Sequence, residues 1–437
     1  MSPSAFARAR LSVPTLRFRD GGGLLYSTLA RLIASGAAVH RGDLVERAGL
    51  ARSTVTRHLD ALIEAGVVVE GGGVARAGRG RPPQLLALNP RAGLVAAADI
   101  GARDARLAIA DLSQNPLATA HIPVDLAQGP KEVLGQVEAS LRELHASATD
   151  DHAPLCAVAV GLPGPVDHDA GAPVRPPIMP GWDGHPVGDA LAERFGCTVL
   201  VDNDVNLMAL GEARSLPEDQ LPLLFVKVST GIGGGLVSAD GELHRGADGA
   251  AGDIGHLPVT SGGASEVVCR CGKSGCVEAV ASAAVMIRGL NAGRDTGGSE
   301  LRTTGDLARL VAHGDPDALR VVRAGAERIG EVVALLLHVF NPARVVLGGA
   351  LAGAGDELLA GVRSVVYRQA LPLATRKLVL EPSVLDERAG WVGGTVLAVE
   401  HVLSPDGVVD LMARRQEASQ ATGLRPGPRW LSSQSGA

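Results

Sequence analysis

Gly252-Asp253-Ile254-Gly255-His256 stands ahead of a sulfur-rich loop, Cys269-Arg270-Cys271-Gly272-Lys273-Ser274-Gly275-Cys276-Val277-Glu278. Three cysteines within eight residues, with a histidine upstream, offer three thiolates and one imidazole. That donor set completes a tetrahedral zinc site with no open position, so His256, Cys269, Cys271 and Cys276 read as ligands of a structural zinc ion. The competing reading is a cluster of redox-active thiols. A zinc ion here would pin the loop that carries Glu278 and orient His256. Gly272-Lys273-Ser274 imitates the end of a Walker A loop, but Val267 occupies the position of its required first glycine. Cys156 and Cys197 lie in apolar, strand-like runs and read as core residues.

Upstream, Val201-Asp202-Asn203-Asp204-Val205-Asn206 closes an apolar run, and Ser229-Thr230-Gly231-Ile232-Gly233-Gly234-Gly235 is a glycine-rich turn able to aim backbone N–H groups at a phosphate. A sugar is recognised by carboxylates and amides that pair with its hydroxyl groups, because a missing partner strands a buried polar group. Asn203, Asp204, His256 and Glu278 suit that task. Asn203-Asp204 also fits an ordinary turn at a strand end. Further motifs are Asp99-Ile100-Gly101, after the run Leu94 to Ala98; Gly161-Leu162-Pro163-Gly164-Pro165-Val166-Asp167; Gly181-Trp182; and Asn341-Pro342-Ala343-Arg344-Val345-Val346-Leu347-Gly348-Gly349.

At 437 residues the chain calls for two or three compact units. Hydrophobic residues reach 46% but aromatics only 2%, so the core must come from Val, Leu, Ile and Ala. Arginine outnumbers lysine 37 to 4, a mark of a GC-rich coding bias. No apolar run reaches the roughly 18 residues of a membrane span, and the arginine-bearing start lacks the apolar core of a signal peptide. The expectation is a cytoplasmic protein, with no membrane partner, whose cysteines are thiols or metal ligands. Charge is split. Residues 1–92 hold 13 arginines against six acidic residues, a net +7, while the remaining 28 basic and 41 acidic residues give -13. A basic head on an acidic body implies a polyanionic partner for the head.

That head reads as three helices, Leu24 to Ala34, Arg41 to Ala48 and Arg52 to Ala65, then a strand from Val67 to Val69 and a returning strand from Leu85 to Leu88. Val55, Leu59, Leu62 and Ile63 fall on one helical face. Gly49 can supply a left-handed turn between the second and third helices. This is winged helix-turn-helix geometry, with Arg52, Ser53, Thr56 and Arg57 facing phosphates and base edges of the major groove. Ala51 takes the N-cap position, where Ser or Thr would be better, so Ser53 is read as a later cap. Gly78-Arg79-Gly80-Arg81-Pro82-Pro83 is a slim basic strip fit for the minor groove of A·T-rich DNA, with Arg79 and Arg81 inserted. A three-helix packing module with a solvated basic face is the plainer alternative.

The ordered series of motifs in the body closely resembles the ROK family of bacterial sugar kinases and sugar-responsive repressors, over about 91–403. With the head included, the chain is similar to the repressor branch from residue 24 onward. The resemblance implies an α/β fold of two actin-like ATPase lobes around a cleft, a last helix at about 384–402 returning to the first lobe, and a homodimer or homotetramer. It implies sugar contacts from Asn203, Asp204, His256 and Glu278, with Asp204 matching the kinases' general base. It places the nucleotide loops at Asp99 and Gly101, at Thr230, Gly231 and Gly233, and at Gly348 and Gly349, the last pair reading equally well as an ordinary strand-to-helix turn.

The family pattern fails at two points. Arg103 and Asp104 occupy the stretch where the kinases' first phosphate loop has threonine, and Asp104 would repel ATP, which puts ATP and Mg binding in doubt. Asp253 stands where the family usually has Glu, one methylene short of its sugar hydroxyl. The resulting division is a flexible lead (1–22), a winged helix-turn-helix with basic linker (23–90), a ROK sugar-kinase-like domain (91–403) and a disordered tail (404–437). The expected function is a DNA-binding regulator that represses carbohydrate genes and answers to a sugar or sugar phosphate; operator DNA is the partner. The alternative is an ATP-dependent sugar kinase that keeps a regulatory head.

Overall fold

The computed structural model describes residues 9–13, 21–71, 84–148, 153–293, 300–354 and 356–422. The head is built from α1 (Gly22–Ala34), α2 (Arg41–Ala48), α3 (Arg52–Glu64) and the antiparallel pair β1 (Val68–Gly71) and β2 (Leu85–Leu88). Gly49 ends α2 at φ 63°, the left-handed conformation that turns the chain into α3. Val55, Leu59 and Leu62 are fully buried against α1 and α2, each worth about 2 kcal/mol by area removed from water. Tyr26 on α1 and His58 on α3 meet edge to face at 5.1 Å. Ala51 is the N-cap of α3 and no side chain caps that helix, so Ser53 does not take over as expected.

The body has two lobes, as the resemblance implies. In the first, β3 (Leu94–Ile100), β4 (Asp104–Asp111) and β5 (Pro116–Pro123) form an antiparallel meander. After α4 (Pro130–Ala148), β6 (Leu155–Leu162) joins parallel to β3. The small pair β7 (Val166–Asp167) and β8 (Ala172–Pro173) and then α5 (Val187–Phe195) lead to β9 (Thr198–Asn203), parallel to β6. The sheet order is β5-β4-β3-β6-β9. After α6 (Asp204–Ser215), the second lobe pairs β10 (Leu223–Val228) antiparallel with β11 (Ile232–Val237). There follow α7 (Val277–Ala281), α8 (Ala283–Gly293), α9 (Thr304–Ala312), α10 (Pro316–Val339), β12 (Arg344–Gly348), α11 (Asp356–Gln369), α12 (Pro372–Thr375) and β13 (Val379–Pro382). This sheet runs β11-β10-β12-β13, parallel across its last three strands.

The helix that returns to the first lobe is α13 (Ala389–Val402), which starts five residues later than expected because Asp386–Arg388 forms a short 3-10 turn. It lies on β3 and β6, while α6 lies on β10 and β11, and the two helices pack on each other between the sheets. Their crossing needs glycine on both sides. A Cβ at Gly211 would stand 2.5 Å from the Ala389 carbonyl oxygen, and one at Gly393 would overlap the Leu207 carbonyl.

Two boundaries read from sequence need correction. Residues 404–437 were expected to be a disordered tail, but Pro405–Thr422 form a helix, α14, laid against α1. Val408 and Leu411 are buried beside Leu403, so a segment that reads as polar overall still has one apolar edge. Residues 423–437 lie outside the described residues. The lead was also expected to be flexible, yet Ala9 and Leu11 are buried, and the Arg10 N–H donates to the Arg214 carbonyl at 2.9 Å. The head's apolar core runs without a break into the first lobe, through Ala92, Val95, Val396 and Val399.

Among the described residues no helix is long and apolar enough to cross a membrane. The helix crossing supplies a test of the architecture. Gly393→Ala should cost at least about 3 kcal/mol, because a backbone carbonyl cannot yield as a side chain can. Gly394→Ala, whose Cβ would meet the Ala97 methyl at 3.0 Å and otherwise only side-chain atoms at 3.6 and 3.7 Å, should cost distinctly less in the same urea unfolding series.

Candidate functional site

The cleft is assembled where β3, β9 and β10 end. Asn203 closes β9 and caps α6: its Oδ1 accepts from the N–H groups of Val205 (2.9 Å) and Asn206 (3.2 Å), and its Nδ2 donates to the Gly164 carbonyl at 2.8 Å. The turn reading and the site reading of Asn203-Asp204 therefore both apply, since the cap is what aims Asp204. Asp204, in the first turn of α6, is buried. Its Oδ1 accepts from the Val205 N–H at 2.9 Å, and its Oδ2 accepts from the ammonium of Lys227 on β10.

Asp99, at the end of β3, shares this pocket. Burial pushes its carboxyl up to about 7, with Lys227 pulling the other way. Burial disfavours the charge on Lys227, but Asp204 and Asp99 outweigh it and hold its ammonium above the usual lysine range. Lys227 went unmarked in the sequence reading. The available signal was scarcity: it is one of four lysines in an arginine-biased chain, and it sits just ahead of the glycine-rich turn. Asp202 was likewise quoted without a role. Its Oδ2 holds Arg245 at 2.7 Å and its Oδ1 accepts from Asn206 Nδ2 at 2.8 Å.

The glycine-rich turn is clasped from the other side by Glu278. Glu278 Oε2 accepts from the Ile232 N–H at 3.0 Å, and a Cβ on Gly231 would stand 2.6 Å from that same oxygen. Gly233 faces Val205, the neighbour of Asp204, and Thr230 is exposed. The start of β11 thus joins the Asp204 side of the cleft to the Glu278 side. Gly348 and Gly349 have a packing reason to lack side chains. A Cβ on the first would strike the Phe225 ring, and Gly349, at φ 88°, would press on the Val228 carbonyl at 2.7 Å. Asp104 does not stand as a bare charge against ATP. It accepts from Arg106 at 2.6 Å and lies 2.8 Å from His121 Nε2, and Gly101 donates its N–H to the Asp104 carbonyl at 2.8 Å. Arg103 is exposed and reaches the Arg302 carbonyl at 3.1 Å.

Below the cleft, His256, Cys269, Cys271 and Cys276 converge, their ligand atoms all within 4.8 Å of one another. His256 Nδ1 is 3.6 Å from Cys269 Sγ, and Cys271 Sγ is 3.7 Å from Cys276 Sγ. Metal–sulfur bonds of about 2.3 Å in a tetrahedron place sulfurs about 3.8 Å apart, so the group fits a metal ion. With Nδ1 turned to the thiols, His256 Nε2 lies 3.9 Å from Asp253 Oδ1. Asp253 is half exposed, and it is His256 that it approaches. Cys156 and Cys197 are free thiols apart from this group.

On the head, Arg52, Ser53, Thr56 and Arg57 all lie on the exposed face of α3. Arg41 buttresses that face by pairing with Asp60 (2.9 Å) and with Glu70 on β1 (2.7 Å). Arg79 and Arg81 fall outside the described residues.

The head and the body each match a known family model: the IclR helix-turn-helix domain over residues 29–71 and the ROK family over residues 95–401. The chain is 30% identical to the DNA-binding transcriptional dual regulator NagC of Escherichia coli over 386 residues, covering 86% of this chain and 92% of NagC. It is 31% identical to the glucokinase of Thermotoga maritima over 289 residues, covering 63% of this chain and 87% of that enzyme. Among solved structures, a ROK family transcriptional regulator described as a homologue of the E. coli MLC protein superposes with a TM-score of 0.75 at 23% identity, covering 90% of this chain and 99% of that one. A cap-held carboxylate in a two-lobed cleft, a Cys3His group beneath it and a helix-turn-helix ahead of it thus occur together, and the chain belongs to the ROK family.

Proposed function

We propose that the protein is a sugar-responsive transcriptional repressor of carbohydrate genes, working in the cytoplasm with operator DNA and a sugar as its partners. The observation that carries this reading is the course of α6. Its first residue is Asp204 in the cleft. Its last turn, where helix carbonyls lack helical partners, receives residues 9–13, against which α1 of the head is fixed. Arg10 Nε donates to the Leu216 carbonyl at 2.8 Å and Arg10 Nη2 to the Ala213 carbonyl at 3.2 Å. Arg214 pairs with Glu400 at 3.1 Å. Glu400 Oε1 accepts from the Ser12 N–H at 2.6 Å, and Arg31 of α1 donates to the Ser12 carbonyl at 2.6 Å and the Leu403 carbonyl at 3.1 Å. A sugar that moves Asp204 relative to the second lobe therefore tilts the element on which the head is mounted. Coupling of about 1–3 kcal/mol between ligand and DNA is enough for regulation.

The exposed row Arg52, Ser53, Thr56 and Arg57 would enter the major groove, and Arg79 and Arg81 the adjacent minor groove. The sugar would be held by Asn203, Asp204, Asp253, His256 and Glu278. Zinc suits the Cys3His group: four soft or borderline donors close the shell, and the ion would hold the loop that presents Glu278. An ATP-dependent kinase, with Asp204 as general base, is the second reading. It is favoured by the retained Asp204 and opposed by the ammonium that Lys227 places on it. A homodimer or homotetramer is the assembled form. Its support is an apolar surface made by Leu335 and Val339 on α10, Tyr367 on α11, and Leu371 and Leu373 beside them. His338 Nε2, accepting from the Leu371 N–H at 3.1 Å, holds these segments together.

Fluorescence anisotropy on DNA from the gene's own upstream region, with and without a panel of sugars, tests the function. Affinity should fall steeply with salt, and one sugar should shift it several-fold. Arg57→Ala should weaken binding by about 1–3 kcal/mol. Arg31→Ala should still bind DNA but lose the sugar response. Tight binding that no sugar alters would sink the sensor reading, and sugar-dependent ADP formation lost in Asp204→Asn would install the kinase. The metal claim predicts one zinc per chain by elemental analysis, lost together with the sugar response in Cys271→Ser. Light scattering should find Val339→Asp with Leu373→Asp in a smaller assembly than the parent.

A further inference from the structure

The charges at the floor of the cleft do not balance. Asp99 on β3 and Asp204 on α6 come from the first lobe, and both are buried. Facing them from β10 of the second lobe is Lys227, its side chain 17% exposed. Of the other charged groups nearby, Asp104 on β4 is satisfied by Arg106 and His121 (on β5), and Arg106 also lies 3.3 Å from Glu387. Arg103 reaches away to the Arg302 carbonyl, and Arg245 is bound to Asp202. The ammonium thus pairs directly with Asp204, while Asp99 has no ion pair among the described residues and feels Lys227 only through space. Both oxygens of Asp204 are already engaged, one by Lys227 and one by the Val205 N–H.

The strand register explains how Lys227 gets there. It pairs with Gly233 on β11 and with Gly348 on β12, so neither flanking strand puts a side chain beside its stem. Lys227 and Phe225 alternate onto the face that α6 covers.

We propose that Lys227 is the specificity-determining residue of the cleft: its single positive charge is spent on Asp204, beside the buried carboxyl of Asp99, which fits the cleft to an uncharged sugar and turns away one that carries a phosphate at the hydroxyl facing Asp204. The inference rests on the sugar-sensor reading. A phosphate arriving there would meet two carboxylates and, among the described residues, no unspent cation beside them, and like charges in a poorly solvated site repel strongly. Lys227 acts through Asp204 as a positioning residue. It holds the carboxylate by one oxygen and keeps its remaining lone pairs directed at a hydroxyl donor.

Two measurements on the full-length protein test this. The first compares thermal stabilisation by D-glucose with D-glucose 6-phosphate, by N-acetyl-D-glucosamine with its 6-phosphate, and by D-xylose. The uncharged member of the pair that binds should bind at least about ten-fold more tightly. A phosphorylated member that binds as well or better overturns the proposal while leaving the sensor reading intact. Silence from every compound overturns the sensor reading, and the proposal with it. The second uses no sugar and follows melting at about pH 8 and about pH 5.5 for the parent, Lys227→Met and Lys227→Arg. Without the ammonium, two buried carboxylates face each other, and protonating one relieves the repulsion. The Lys227→Met deficit should therefore be larger at the higher pH, and Lys227→Arg should recover most of it. A deficit equal at both values means that Lys227 only fills space, and overturns the charge assignment.

Discussion

Two helices cross between two sheets, and they approach so closely that the crossing has no room for a Cβ on either side. Gly211 of α6 and Gly393 of α13 remove the side chains that would otherwise hold the pair apart. Because α6 starts from the end of β9 in the first lobe and packs on β10 and β11 of the second, while α13 packs on β3 and β6 of the first, this contact joins the lobes. It also leaves α6 gripped along its length. Glu212, fully buried, accepts from Ser383 Oγ and from the Val384 N–H, both at 2.8 Å, on the strand-end loop of the second lobe. The helix so held spans from Asp204 to Arg214 as one packed element.

The cleft is a place where buried charge is concentrated. Isolated carboxylates would neutralise there, and the raised Asp99 shows the pressure to do so. Lys227 answers that pressure from across the lobes. Stability linked to Asp99 accordingly falls as pH rises from the ordinary carboxylate range toward about 7, since over that window the folded chain keeps a proton the unfolded chain has released. Below the cleft the Cys3His group gathers a glycine-rich, strand-poor loop, and Glu278, which follows that loop, clasps the glycine-rich turn through the Ile232 N–H.

The junction of head and body uses the same materials differently. Arg31, Arg214 and Glu400 are all largely buried, where charges are costly unless paired. Burial pushes the Glu400 carboxyl up, and Arg214 and Arg31 oppose the push. Such a cluster tolerates few geometries, which suits a joint that has to hold the head in one of a small number of orientations. The docked segment 9–13 and helix α14 wrap α1 from two sides and extend the body's core into the head.

Much of this was legible in the sequence because it depends on local periodicity and on residue chemistry at short spacing. The third helix of the head and its exposed row, the left-handed Gly49, the α/β alternation of the body and the Cys-His group need only neighbours a few residues apart, or donor types that have few other uses. Gly348 and Gly349 were ambiguous because a glycine records the absence of a side chain and not what fills the space, here Phe225 and the Val228 carbonyl. The docking of α14 and of residues 9–13 was missed because each offers only two or three apolar residues, and their burial depends on surfaces supplied from distant parts of the chain. Sequence alone determined the parts and their chemistry: a basic helix-turn-helix, a two-lobed sugar-kinase-like body and a donor set for a metal. Tertiary structure decided that Lys227 meets Asp204 and that the far end of the same helix meets residues 9–13, which in turn hold α1 of the head, because such contacts exist only once segments far apart in the chain are brought together.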